Sequence, residues 1–582
     1  MKKLLNLILI LGLSISLIGC SKEEPKQPFD DFVKLIEDTM MDGTTSFQSN
    51  FLFNDPVAAG YERPTVYGYG FFSEEENDEL YDKFEDFKDE MEKYDYDALS
   101  ETQKVTYDAL YDYLLRNLAL EDYYYYESPY IGNYSSVIQE LPLLLQMYTF
   151  NNKDDLEDYF KNIKAFEEDF KNYASLEKER QEKGLGLSKE ILDDTKKQIQ
   201  GIIDGKGQEI ITEVNKIIDG LDFLSAEEKV SYKERNKQAI EADFINAYKT
   251  LLDELKDIEG KEKTLGSYYL EDGKDYYEAK VYQQLGINKS IEDIEKELED
   301  STDEKIKALQ IHAMTNQHLL SKEDLYDIKY HEFSNVKGGF DYLKDNIFTM
   351  VPKINDLTYD IYIVPSSLQE GFAPAAYLSS KVDKKDGEAE IIMINPKNTN
   401  NLLPTLVHEG YPGHMYQNSY LQSLELPLVH YLMDCIGYTE GWAIYVESQA
   451  SRFIKDKETQ AWQQLLMYDS DITSTLFAIL DIKIHYYGWD IEDCVDFLND
   501  YLGASLSAED LKQIYQIIVQ TPGYYLYYIY SGQVLTDCRK DAEKQLGNKF
   551  DEIEFHKAIL NSGPIGLDKV KENVKKYISS NK

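Results

Sequence analysis

The segment Leu406-Val407-His408-Glu409-Gly410-Tyr411-Pro412-Gly413-His414 holds the residue types most suited to chemistry. Two imidazoles can bind a transition metal, and a carboxylate beside them can hold and deprotonate an attacking water. The usual arrangement is HExxH on a helix, with both His on one face a turn apart. Here the second His follows six residues after the first. On an ideal helix that is roughly 600°, leaving the side chains about 120° apart. Pro412 removes the obstacle. Its ring would collide with the carbonyl of His408, four residues back, and it donates no N–H, so the helix must kink or bulge. Gly410 and Gly413 permit the dihedrals this needs. Looping out two residues returns His414 to the place that i+4 normally supplies.

A catalytic zinc takes three protein ligands and keeps a further position open for water. Glu440, in Tyr438-Thr439-Glu440-Gly441-Trp442-Ala443, lies on the next predicted helix, 26 residues beyond His414. Glu447 lies seven residues later on the same helical stripe. The reading is Glu440 as third ligand and Glu447 as a contact to a ligand or to substrate, with the exchange of these two roles left open. Two neutral imidazoles and a carboxylate suit Zn²⁺.

The elements that must position these groups read as helices. From Pro28 to about Glu259, apolar residues recur at helical spacing in a charged background, as at Phe160, Ile163, Phe166 and Phe170. This half carries no catalytic motif, and the run Tyr123 to Tyr126 is assigned to packing or a channel wall. Between Asp360 and Asn395 the texture changes. Asp360 to Val364 reads as a strand ending at Pro365, and Ala389 to Asn395 as a second ending at Pro396. Between them lie Gly371-Phe372-Ala373-Pro374 and the turn Lys384-Lys385-Asp386-Gly387. The second strand could pair with an extended peptide by edge addition, or be one arm of a plain hairpin. From Asn400 the pattern is helical to the end. Residues 28–582 read as one large unit, with a helical lobe over 28–259 and a metal-site lobe over 260–582.

The N-terminus addresses the chain to the outside of the cell. Lys2 and Lys3 precede an apolar run from Leu4 to Ile18, so residues 1–19 read as a signal peptide. The run ends in Gly19-Cys20-Ser21, which resembles a bacterial lipobox, with Cys20 as the lipidated residue and 20–27 as a polar tether. The remaining thiols, Cys435, Cys494 and Cys538, form no disulfide framework or CxxC spacing. The formal net charge of −46, spread along the chain, argues against nucleic-acid binding and against adsorption to anionic head groups. Contact with the membrane is therefore expected through the lipid anchor only.

Taken together, these segments resemble the bacterial domain of unknown function 885 family, zincin-like proteins distantly similar to angiotensin-converting enzyme and the thimet-type oligopeptidases. The likeness runs over about Gly266 to Gly566. It rests on Gly266 to Tyr277, on HEGYPGH with Gln417, and on Glu440-Gly441-Trp442-Ala443. It continues through Asp481 to His485 with Trp489, and through Pro522-Gly523-Tyr524-Tyr525-Leu526. The resemblance implies a mainly α fold, a helical gluzincin-like zincin with a small β-sheet lining a central cleft. It implies His408, His414 and Glu440 as metal ligands and Glu409 as general base. It places His485 facing the channel, and Tyr528 near the family's tyrosine after the Pro-Gly turn, as candidate donors to the oxyanion. His312, His318, His331, His430 and His556 receive no role.

The function expected is a lipid-anchored zinc metallopeptidase cutting short peptides outside the membrane. The alternatives are a non-catalytic peptide- or ligand-binding lipoprotein, which would have no use for Glu409, and a metal-dependent hydrolase of a non-peptide amide.

Overall fold

A computed structural model describes residues 24–321, 327–355, 357–365, 369, 372–385, 388–397, 401–503 and 505–582. The signal segment and Cys20 lie outside these, as do Gly371, Asp386 and Gly387 of the predicted turns. The chain is mainly helical, with 69% helix and 3% strand. Many helices begin where the sequence supplies an acceptor for the free N–H groups of the first turn. Thr45, Ser73, Ser100, Ser225 and Ser507 each close a capping box with the residue three positions on.

The helices enclose two hydrophobic cores. The smaller is built from Phe47 to Ile258 and centres on the long helix Lys153–Glu182, where Ile163, Phe166 and Phe170 are fully buried. The larger runs from Tyr277 to Ile578 but also takes in Phe29, Phe32, Ile36, Leu110 and Leu114. The lobe boundary expected at 259 is therefore not the boundary between the cores. The helices Phe29–Asp42, Glu74–Met91 and Glu101–Leu118 turn their apolar faces to this larger core. Helical periodicity shows that a face is buried but not what covers it. In the tyrosine run, Tyr124 donates to the carbonyl of Phe72 and Tyr125 to Glu74, while Tyr126 lines a cavity.

The sheet has three strands, β1 (Tyr359–Ile363), β2 (Ala375–Leu378) and β3 (Glu390–Ile394), in the order β1-β3-β2. β1 runs parallel to β3 and β2 antiparallel to it. The hairpin expectation holds in part: β2 and β3, consecutive and antiparallel, form one, and β1 joins it in parallel. The edge-addition expectation changes, because β3 is the central strand, paired on both sides, so no peptide can add to it. Its burial explains this: Glu390, Ile392, Met393 and Ile394 are all enclosed. Among the described residues no helix is long and apolar enough to cross a membrane.

Candidate metal centre

The motif helix Leu402–Glu409 seats Leu402, Leu403, Leu406 and Val407 in the core. Pro404 falls in its first turn, where a missing N–H costs nothing. The helix stops at Glu409, and a new one, His414–Ser423, starts at His414. The interruption predicted from Pro412 is thus a full break, with a cis Tyr411–Pro412 bond between the helices. The turn is tight. The N–H of Gly413 donates to Val407 O at 2.9 Å, and a Cβ on Gly413 would lie 1.8 Å from His408 O. Trp442 holds the turn from the next helix, Ile436–Glu447, its indole N–H donating to Pro412 O at 2.9 Å. Glu440 is two residues from that anchor. Gly441 lets this helix approach its neighbour, since a Cβ there would lie 2.7 Å from that of Ser531.

These elements bring His408, His414 and Glu440 together, with one ligand atom from each within 4.8 Å of the others. Glu440 Oε2 is 3.5 Å from His408 Nε2 and 3.3 Å from His414 Nε2. That oxygen is buried without a well-aligned hydrogen bond, as is His414 Nδ1. A buried carboxylate oxygen facing two imidazole nitrogens and bonded to neither is a polar group that a cation would satisfy. The donor set fits a divalent transition metal such as zinc. Glu447 stands elsewhere: the Nδ1–H of His408 donates to its Oε2 at 2.8 Å, which turns Nε2 toward Glu440. From the sequence Glu440 is the expected third ligand, with an exchange with Glu447 kept open; in the structure Glu440 faces both histidines and Glu447 stands behind His408.

Glu409 sits beside this group, its Oε1 4.0 Å from His408 Nε2. Its other oxygen accepts from the N–H of Tyr377 on β2 at 2.8 Å. Tyr377 in turn donates its phenol O–H to the fully buried Glu390 at 2.6 Å, and Asn418 donates to that phenol. Nothing in the sequence marks Tyr377, because the group that reaches Glu409 is main chain. Burial raises the Glu409 carboxyl, against the lowering pull of the two imidazoles and the Tyr377 N–H. Burial would also raise Glu440, but the same imidazoles win and hold it at about 2. His408 is driven the other way: burial lowers it, while Glu440 and Glu447 lift it well above its ordinary value.

A family model described as a bacterial protein of unknown function, DUF885, matches residues 67–574. The chain belongs to the DUF885 family. The crystal structure of a candidate lipoprotein from Colwellia psychrerythraea superposes with a TM-score of 0.81 at 17% identity, covering 95% of this chain and 98% of that one. A candidate lipoprotein of unknown function from Shewanella oneidensis follows, with a TM-score of 0.62 at 15% identity, covering 94% and 99%. These two share the fold. A candidate oligoendopeptidase F from Bacillus anthracis str. Ames aligns at a TM-score of 0.31 and 13% identity, too low to bear on either fold or activity. No curated protein matches the chain.

Two other positions singled out in this DUF885 chain part company. His485 does not face a channel. It is fully buried, its Nδ1 accepts from the Ser267 N–H at 3.0 Å, and its Nε2 donates to Ile518 O at 2.8 Å. Its ring stacks on Tyr277, 5.2 Å between centroids. With both nitrogens engaged it has no proton for an oxyanion, and burial lowers it to about 4. His485 is a core histidine. Tyr528 does reach the site. Its ring lies 6.4 Å from that of His408, on the π-helical segment Leu526–Tyr530. Burial, Glu440 and Glu409 all push its phenol up, so it keeps its proton. Asp481 fixes the turn before this segment, accepting from the N–H groups of Gly523 and Tyr525 and from the Tyr277 phenol.

Proposed function

We propose that this DUF885 protein is a zinc-dependent metallopeptidase acting on short peptides outside the cell membrane. The observation that carries the reading is the convergence of His408, His414 and Glu440, with a separately held carboxylate, Glu409, alongside. A bound Zn²⁺ would polarise the scissile carbonyl and make water a better nucleophile. Glu409 takes the proton of the attacking water and passes it to the leaving amine. Its raised pKa suits both halves of that transfer. Tyr377 keeps the carboxylate aimed, and Glu447 keeps the His408 tautomer fixed. Tyr528, protonated throughout, donates to the oxygen on which negative charge develops. We further propose export and anchoring through Cys20, in keeping with the lipoprotein descriptions of the two structural relatives.

The test is a peptide mixture read by mass spectrometry, with and without a chelator, beside elemental analysis. About one equivalent of zinc is expected. Glu409→Gln keeps the side chain's size and removes its basicity, so metal should stay and turnover should fall by about 10²–10⁴. Full activity in demetallated protein, or in the Gln variant at equal metal occupancy, overturns the reading. So does a zinc-loaded protein that cleaves no peptide.

A further inference from the structure

Acidic residues outnumber basic ones by 107 to 61 in this chain, yet one cavity reverses the balance. It measures about 280 Å³ and is lined by Arg180, Lys261, Lys263 and Lys280 against a single carboxylate, Glu127. Two of the cations are already committed. Arg180 pairs with Glu177 at 2.6 Å, and Lys280 with Glu127 at 2.9 Å, the latter carboxylate also receiving the Tyr276 phenol. Lys261 and Lys263 differ: among the described residues neither ammonium has an ion pair or hydrogen bond. Lys261 is half-buried and its main chain is pinned, its N–H donating to Leu187 O and its carbonyl accepting from Lys189. Burial and the nearby Arg180 push its pKa down, so it gains from an anion. A partly desolvated, unpaired cation on a pinned main chain costs free energy unless a ligand supplies the counter-charge.

The cavity is linked to the candidate metal centre by two tyrosine rings. Tyr527 lines it, with its ring 4.9 Å from that of Tyr528, the residue stacked near His408. Tyr134 lines it too, and its hydroxyl shares a 2.9 Å hydrogen bond with that of Tyr524. Its volume is at the low end for ligand pockets, suiting the end of a chain rather than a stretch of one.

We infer that this cavity is a subsite for the C-terminal carboxylate of a peptide substrate, held by Lys261 and Lys263, with the scissile bond at the metal centre. This rests on the peptidase reading for the identity of the anion, since an α-carboxylate is the one negative charge every linear peptide carries. The enzyme would then cut at a set distance from the C-terminus and release fragments of uniform length.

Two measurements test this separately. In the first, trialanine and its C-terminal amide are titrated into zinc-loaded protein by calorimetry, which needs no turnover. The free acid should bind about tenfold tighter or more, as expected for a charged hydrogen-bonded partner. Lys261→Gln with Lys263→Gln should abolish the difference, and Lys261→Arg with Lys263→Arg should restore most of it. In the second, peptides that the wild type cleaves are compared as acid and amide. The Gln pair should raise KM for the acid and leave kcat nearly unchanged, because neither lysine touches the reacting atoms. Equal binding of acid and amide by wild type overturns the subsite while leaving the peptidase reading intact. Discrimination without cleavage of any peptide sinks the peptidase reading and keeps the carboxylate site. A preference that follows an acidic side chain in amidated peptides overturns the assignment to the C-terminus.

Discussion

Glu440 and Glu447 stand two helical turns apart, and the structure gives them different neighbours, so under the proposed function metal binding should tell them apart. Glu447→Ala removes the acceptor of the His408 Nδ1–H, a 2.8 Å bond to a carboxylate about one-third exposed. A charge-assisted bond of this kind is worth about 1.5–3 kcal/mol, and partial exposure favours the lower part of that range. The imidazole would keep its position among the donors but lose the fixed tautomer and some basicity. At about 1.4 kcal/mol per decade, zinc affinity should fall by about 10- to 100-fold. Glu440→Ala removes one of three donors and leaves the two Nε2 atoms without their shared carboxylate, so its loss should exceed that of Glu447→Ala by at least another decade. The assay is competition against a chelator of known affinity, read as free zinc at fixed pH, with circular dichroism to confirm that both variants are folded. Wild-type affinity in Glu440→Ala, or equal losses in the two variants, would refute the assignment.

Three further outcomes are expected. Tyr528→Phe removes the candidate oxyanion donor and should lower kcat by about 10²–10³ with little change in KM; steady-state kinetics showing an unchanged kcat would discharge the residue. His430 is buried and pushed down to about 4, against about 6.5 in an unfolded chain. The unfolded state alone binds its proton between those values, so its contribution to stability is complete above about 6.5 and is lost as pH falls toward 4. In His430→Gln, the stability deficit relative to wild type should shrink by about 1.4 kcal/mol per pH unit near pH 5; a deficit that denaturant titrations find constant between pH 7 and 4.5 contradicts this. Cys20→Ala should move the protein from the membrane fraction to the soluble one, and undiminished membrane binding would place the anchor elsewhere.

What could be read in the sequence was whatever a local rule governs. The steric demand of Pro412 on His408 is such a rule, and it identified the interruption between the two histidines, though as a kink rather than a break. Spacing from His414 favoured Glu440 over Glu447, but residues seven apart lie on one stripe, and the position of the His408 ring is what separates their surroundings. His485 was misplaced for a related reason: an imidazole in a helix looks the same whether its nitrogens meet a cavity or the main chain of Ser267 and Ile518. β2 has four residues after a proline, too few for an alternation to show, and its contribution to Glu409 is a main-chain N–H that any residue could supply. The N-terminal helices signalled a buried face but gave no sign that it belongs to the larger core.

The break at Pro412 has a mechanical meaning. His408 lies in the last turn of one helix, His414 opens the next, and Glu440 comes from a third. An ion seated among them would be a rivet through three rods, not an ornament on one. Its binding free energy would then oppose the separation of those rods, and resistance to heat would rise with the concentration of free zinc. Scarcity of the metal would cost such a protein its rigidity together with its chemistry.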